Sequence, residues 1–139
     1  MIKMRLLALL LTLMTALPAL AADKQKVVYH LADEDKAAFV LNNIRNHLDG
    51  MGGPDKVQIV LVMHGPVVKS FVDVEAVDKV RDGVKQLQAD GVELHVCANS
   101  LKVFKLGMDE MLPGMVEASA GGVVRIAELQ SQGYLYIRP

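Results

Sequence analysis

Val57-Gln58-Ile59-Val60-Leu61-Val62-Met63 is an almost unbroken apolar run, and it ends abruptly at His64-Gly65-Pro66. A strand with one face in water alternates apolar and polar residues. A strand covered on both faces reads as a near-continuous run such as this one. Coverage on both faces is what helices packed on a parallel sheet provide, so the flanking segments should be helical.

Both flanks carry that signal. Upstream, Ala37, Leu41, Ile44 and Leu48 recur at helical spacing. Asp33, Glu34 and Asp35 crowd the start of that segment, where acidic groups suit the helix dipole. Gly50, Gly52, Gly53 and Pro54 stop it, and Lys26 to Leu31 before it reads as a first strand. Downstream, a short piece from Val67 to Val72 has no clear period. Val77, Val80, Val84 and Leu87 then mark a second helix, closed by Ala89-Asp90-Gly91. Val92-Glu93-Leu94-His95-Val96 is a third strand running straight into Cys97, and a helix is predicted from about Asn99 to Lys105. A loop over 107–114 leads to a fourth strand, Met115-Val116-Glu117-Ala118. Ala120-Gly121-Gly122 opens a last helix with Val123, Ile126 and Ala127 on its inner side, and Tyr134 to Ile137 closes the chain as a strand. Strands alternating with helices predict βαβ units and a mostly parallel sheet with helices on both faces.

The first residues read differently. Met1-Ile2-Lys3-Met4-Arg5 carries two positive charges; Leu6 to Leu17 is apolar except for Thr12 and Thr15; Ala19-Leu20-Ala21 is a small-x-small cleavage signal. That is the layout of a secretory signal peptide. The apolar run is short for a bilayer span, which needs about 20 residues. We therefore expect residues 1–21 to be a cleaved leader, residues 22–139 to form a single α/β domain, and the mature protein to be periplasmic or secreted. No second apolar stretch is long enough to span a membrane, so no membrane association is expected after cleavage. The formal net charge is −1, aromatics make up 4% and no basic run occurs, which argues against nucleic acid as a partner. No phosphate loop, dinucleotide-binding glycine fingerprint, Cys-x-x-Cys or serine nucleophile elbow is present, so no cofactor and no metal is expected.

In open parallel sheets ligands bind beyond the carboxyl ends of the strands. The residues falling at those ends are His30, His64, Cys97 with Asn99 and Ser100 just after it, and Ser119. Cys97 is the only cysteine. In an exported protein an unpaired cysteine points to intermolecular pairing or a free thiol; the alternative is a buried cysteine acting as a small hydrophobe. Its position before a predicted helix, with Asn99 or Ser100 as N-cap, would lower the thiol pKa and favour reactivity. His64 can orient or deprotonate the thiol, or cap the turn before Pro66. His95 shares a strand face with Cys97 and is expected under a covering helix, and His47 reads as surface. Met108, Met111 and Met115 are soft ligands that suit Cu(I) together with a thiol, but also ordinary packing residues.

Three segments resemble the DsrE/DsrF-like family: Val57 to Pro66, the Val96-Cys97-Ala98-Asn99-Ser100-Leu101 core, and Gly114-Met115-Val116-Glu117 with the glycine-led helix and the Gln132-Gly133-Tyr134-Leu135-Tyr136-Ile137-Arg138-Pro139 ending. The resemblance implies an α/β fold of three layers, an α/β/α sandwich around a five-stranded, mainly parallel sheet. It also implies oligomers, and sulfur carried as a cysteine persulfide and passed between proteins, with the reactive cysteine at Cys97. The expected function is therefore binding or relaying sulfane sulfur on Cys97, by a sulfurtransferase or sulfur carrier with a donor or acceptor protein as partner. A non-catalytic oligomeric binding module with a structural cysteine is the alternative, and a periplasmic Cu(I)-binding protein a third. A homo-oligomer is expected because a small parallel sheet leaves edges and apolar helix faces to cover.

Overall fold

A computed structural model describes residues 23–139; the expected leader, residues 1–21, lies outside the described residues. The elements run β1 (Gln25–Leu31), α1 (Ala37–Met51), β2 (Val57–Met63), α2 (Asp78–Ala89), β3 (Glu93–Cys97), α3 (Ala98–Phe104), β4 (Val116–Ala118), α4 (Gly122–Ser131) and β5 (Leu135–Ile137). Short 3-10 segments occupy Glu34–Lys36, Gly65–Phe71 and Met108–Glu110. The five strands form one sheet in the order β4-β3-β2-β1-β5, every neighbouring pair parallel. The α/β fold expected from the sequence is the fold observed.

The decisive strand, β2, is central. Ile59 to Met63 are all essentially buried, and Gln58 is the one partly open residue. Its two faces feed two cores. Ile59, Leu61 and Met63 join α1, α2 and the Gly65–Phe71 segment in the larger core. Val60 and Val62 meet Ile126, Leu129 and Tyr134 in a smaller one under α4. Leu101 and Phe104 of α3 belong with the larger core, so α4 alone covers the second face.

Chain geometry explains this asymmetry. From β1 to β4 each strand is laid beside the last in one direction, and β5 then returns to the far side of β1. Parallel crossovers are right-handed, so a crossover that reverses direction must use the opposite face of the sheet.

Two local expectations are corrected, and one unassigned piece is resolved. Val77 is not on the buried face of α2: it is the N-cap residue and 63% exposed, so Val80, Val84 and Leu87 carry the packing. On α4, Val123 and Ala127 face outward, and Gly122, Ile126 and Leu129 face inward; the helix begins at Gly122, which rotates the stripe from the one expected. The unassigned piece after β2 is a 3-10 segment burying Val67, Val68 and Phe71. Among the described residues no helix is long and apolar enough to cross a membrane.

Because Leu61 is fully buried at the centre of β2, Leu61→Ala should lower the unfolding free energy by about 2–5 kcal/mol, read as a shift of the urea midpoint at unchanged slope.

Candidate functional site

The outgoing connections of β3 and β4 leave on opposite faces: α3 packs toward the larger core and α4 on the other side. Between two such strands the chain opens a crevice at their carboxyl ends, where ligands of parallel sheets bind. Cys97, the last residue of β3, sits in that crevice. It lines a pocket of about 270 Å³ together with His64, Asn99, Ser100, Val103 and the run from Ala120 to Val124.

Helix α3 begins at Ala98, one residue earlier than the sequence suggested, so the N-cap is Cys97 itself rather than Asn99 or Ser100. Those two residues fall in the first helical turn, and their backbone N–H groups are turned toward the sulfur. The Cys97 thiol is only 5% exposed. Burial pushes its pKa up, but the Gly122 N–H, the Ser100 hydroxyl and the N–H groups of Ser100 and Asn99 act as donors to the sulfur and hold it, on balance, below the ordinary thiol value. The Gly65 N–H donates to Ser100 Oγ at 2.7 Å, which leaves the hydroxyl hydrogen free to point at the sulfur. Two helix N-termini and one hydroxyl thus converge on one sulfur.

Two glycines make that convergence possible. A Cβ on Gly122 would lie 3.1 Å from His64 Cβ and 3.2 Å from Cys97 Cβ, so the start of α4 passes between these two side chains with no room to spare. Gly121 has φ of +101°, and a Cβ there would meet Asn99 Nδ2 at 2.7 Å.

His64 follows β2 in extended conformation, φ −148° and ψ 172°, and its N–H donates to Leu31 O at 3.1 Å. The strand alternation therefore continues one residue past β2 and places His64 on the α4 face with Val62. His30, on β1, does not line the pocket; its Nε2 lies 2.5 Å from His64 Nε2, and its Nδ1 lies 2.6 Å from the Tyr136 hydroxyl. Burial, then the positive charge of Arg138, hold His64 below the ordinary histidine value. His30 is also lowered, by burial, His64 and Arg138, with Asp33 opposing. Asp33 lies 3.5 Å from Arg138 and 3.7 Å from Lys36. Such exposed pairs contribute under about 1 kcal/mol each, so β5 pairing, rather than charge, positions Tyr136.

The remaining residues fall elsewhere. Ser119 is exposed in the turn after β4 and does not line the pocket. His95 is buried on the α4 face of β3, with Nε2 2.9 Å from Glu93 Oε2 and Nδ1 without a partner. His47 is not simple surface: its Nδ1 lies 2.9 Å from the hydroxyl of buried Tyr29. Met111 is buried in the larger core with Met108 and Met115 packed against it, and none of the three lines the Cys97 pocket. The Cu(I) arrangement of methionines beside the thiol is therefore not formed. Sequence reasoning missed Tyr136, Val103 and Val124. Strand alternation past Tyr134 was the available signal for Tyr136, but only the strand order shows that β5 adjoins β1.

The sequence profile of the DsrE/DsrF-like family matches residues 24–139. No curated protein matches the chain. Among solved structures, the protein of unknown function MTH1491 from Methanobacterium thermoautotrophicum is 27% identical with a TM-score of 0.73, over 84% of this chain and 100% of its own. The ychN protein of E. coli is 14% identical with a TM-score of 0.64, over 83% of this chain and 99% of its own. The conserved protein of unknown function BT1422 from Bacteroides thetaiotaomicron is 15% identical with a TM-score of 0.61, over 87% and 99%. The last two likenesses speak for the fold alone.

The donors around Cys97 give a signed prediction. Alkylation of the thiol should rise with pH through a midpoint below the ordinary thiol range. Ser100→Ala removes one charge-assisted hydrogen bond, worth about 1.5–3 kcal/mol, so the midpoint should move up by about one to two pH units and the rate at neutral pH should fall. A midpoint unmoved in Ser100→Ala would remove the hydroxyl from the site.

Proposed function

The chain belongs to the DsrE/DsrF-like family, and from that premise we propose that it is a sulfur-handling protein in which Cys97 accepts sulfane sulfur as a persulfide and passes it to the thiol of a partner protein. Membership supports sulfur-relay chemistry at the level of the family. The observation that carries the reading to Cys97 is the pocket itself: a thiol held toward its ionised form by four donors, at the floor of a cavity that a small sulfur group fits. The thiolate is the nucleophile in exchange between sulfurs. His64, at the wall of the pocket, is the acid–base group of this reading.

In the same proposal the protein works after export and as a homo-oligomer. Export rests on the leader pattern of residues 1–21. Self-association is supported by three-residue edge strands at both sides of the sheet and by exposed Val116 and Leu135 on them, apolar surface that association would remove from water.

A non-catalytic binding module predicts a thiol silent toward persulfide donors, so one experiment separates the two. Intact-mass spectrometry after incubation with a persulfide donor should show a gain of one sulfur atom on the wild type and none on Cys97→Ser; equal gain in both, or none in either, ends the persulfide reading. The same spectrum reads the start of the exported chain, expected at Ala22. Native mass spectrometry at micromolar concentration should show more than one chain per particle, and a single chain ends the homo-oligomer proposal.

A further inference from the structure

Four polar side chains stand in a row across the carboxyl end of the sheet, one from each of four adjacent strands. They are Tyr136 on β5, His30 on β1, His64 just past β2 and Cys97 at the end of β3. Register puts all four on the α4 face. Tyr136 is level with Val28, which alternates with His30; His64 alternates with Val62; and Val28 and Val62 both belong to the core under α4. Cys97 alternates with His95, which is level with Val62.

The first three members are joined. The Tyr136 hydroxyl is 2.6 Å from His30 Nδ1, and the two histidines face each other at 2.5 Å, Nε2 to Nε2. Their ring centroids are 4.7 Å apart, far beyond the nitrogen separation, so the rings meet at their nitrogen edges rather than face to face. Only one hydrogen fits between two such nitrogens: one ring donates and the other accepts. The tautomer of His30 therefore dictates that of His64, and the Tyr136 hydroxyl, which can donate or accept, dictates that of His30.

We propose that Tyr136, His30 and His64 form a proton relay between solvent and the Cys97 pocket, in which His64 Nδ1 is the acid–base atom and His30 and Tyr136 are positioning residues that set its tautomer. The role in sulfur transfer rests on the function proposed above; the linkage of the three groups rests on the geometry alone.

The relay has two neutral states. When Tyr136 donates to His30 Nδ1, His30 Nε2–H donates to His64 Nε2, and His64 carries its hydrogen on Nδ1. When Tyr136 accepts from His30 Nδ1–H, His64 Nε2–H donates to His30 Nε2, and His64 Nδ1 is bare. In the second state His64 Nδ1 takes the Cys97 thiol proton through one solvent molecule of the pocket that both residues line, since the start of α4 stands between the two side chains. The thiolate attacks the outer sulfur of a persulfide R–S–SH; the new sulfur–sulfur bond forms as the old one breaks, and R–S⁻ leaves with the electron pair. His64 Nδ1–H then protonates it. The sum is Cys97–SH + R–S–SH → Cys97–S–SH + R–SH, with no external oxidant or reductant. Where Cys97 is already ionised, the leaving group's proton enters from water through Tyr136, which is 43% exposed.

The surroundings favour neutral rings. His30 faces Tyr136 and Arg138 from the end of the chain, Asp33 from the segment after β1, and His64 from β2; His64 faces His30, Arg138 and, across the start of α4, Cys97. Arg138 opposes a positive charge on either ring, and burial acts in the same sense.

The test follows the ring-nitrogen chemical shifts of both histidines across pH by NMR in wild type, Tyr136→Phe and His30→Gln. It is paired with the rate of sulfur uptake by Cys97 and its rate of alkylation by iodoacetamide, which needs no proton on its leaving group. Linked titration of the two rings is expected, with Tyr136→Phe changing the tautomer ratio of His64, which it does not touch. Both variants should slow sulfur uptake about tenfold or more and displace its pH profile, while alkylation in alkaline solution keeps its rate. Rings that titrate independently, with His64 tautomers unmoved in Tyr136→Phe, overturn the relay whether or not sulfur is transferred. Linked rings with unchanged uptake in both variants overturn its part in the transfer. Linked rings in a wild type that takes up no sulfur support the relay's linkage and overturn the sulfur reading instead.

Discussion

The handedness of the last crossover is the constraint on which this site depends. Four strands are laid down in one direction with α1, α2 and α3 toward one face, and the chain must then return to the far side of β1. A right-handed return is forced onto the bare face. That single requirement places α4 opposite the other helices, splits the ends of β3 and β4, and brings the start of α4 down on the carboxyl end of β3. The pocket is thus a consequence of topology, and Gly121 and Gly122 are what let the backbone come close enough to use it.

At the floor of that pocket two opposing effects act on one sulfur. Desolvation favours the neutral thiol, as it would for any buried cysteine. Three backbone N–H groups and the Ser100 hydroxyl oppose it. On balance the thiol is held below its ordinary value, as a cysteine in a purely apolar cavity would not be. A 7-residue helix such as α3 offers little by itself; the second N-terminus, from α4, and the Ser100 hydroxyl complete the set. The α3 N-terminus and Ser100 follow Cys97 directly in the sequence, but no sequence spacing could show that the start of α4 meets the same sulfur.

Much of the architecture was legible because β2 announces its own environment. Seven residues with no polar alternation require cover on both faces, and that settles a parallel α/β sheet before any helix is assigned. The period-two rule also placed His30, His64 and Cys97 at strand ends. What the sequence did not contain was strand order. Without it, β5 could not be put beside β1, Tyr136 had no reason to meet His30, and two histidines 34 residues apart could not be paired. Helix phase was read well where caps were plain, as in α1. It was read less well where they were not: Val77 and Val123 have the right side chains for a buried stripe, but the helices start where those residues point outward. Ser119 shows the same limit at a strand end, where one residue separates the pocket wall from an exposed turn.

The rim of the pocket bears on which partners can reach the sulfur. Val103 is 72% exposed, Val123 68% and Val124 46%, and all three line the mouth. Isolated surface valines call for no explanation, but three around one buried thiol form an apolar collar. A free small anion gains nothing from such a collar. On the function proposed above, a partner surface that brings its own apolar residues would gain roughly 25 cal/mol for each Å² removed from water and would close the crevice during the exchange. With bulk water excluded in that way, proton supply would have to come through the protein. In the proposed relay, Tyr136, His30 and His64 approach Cys97 from β5 and β1, a path for a proton that would not pass through such a partner.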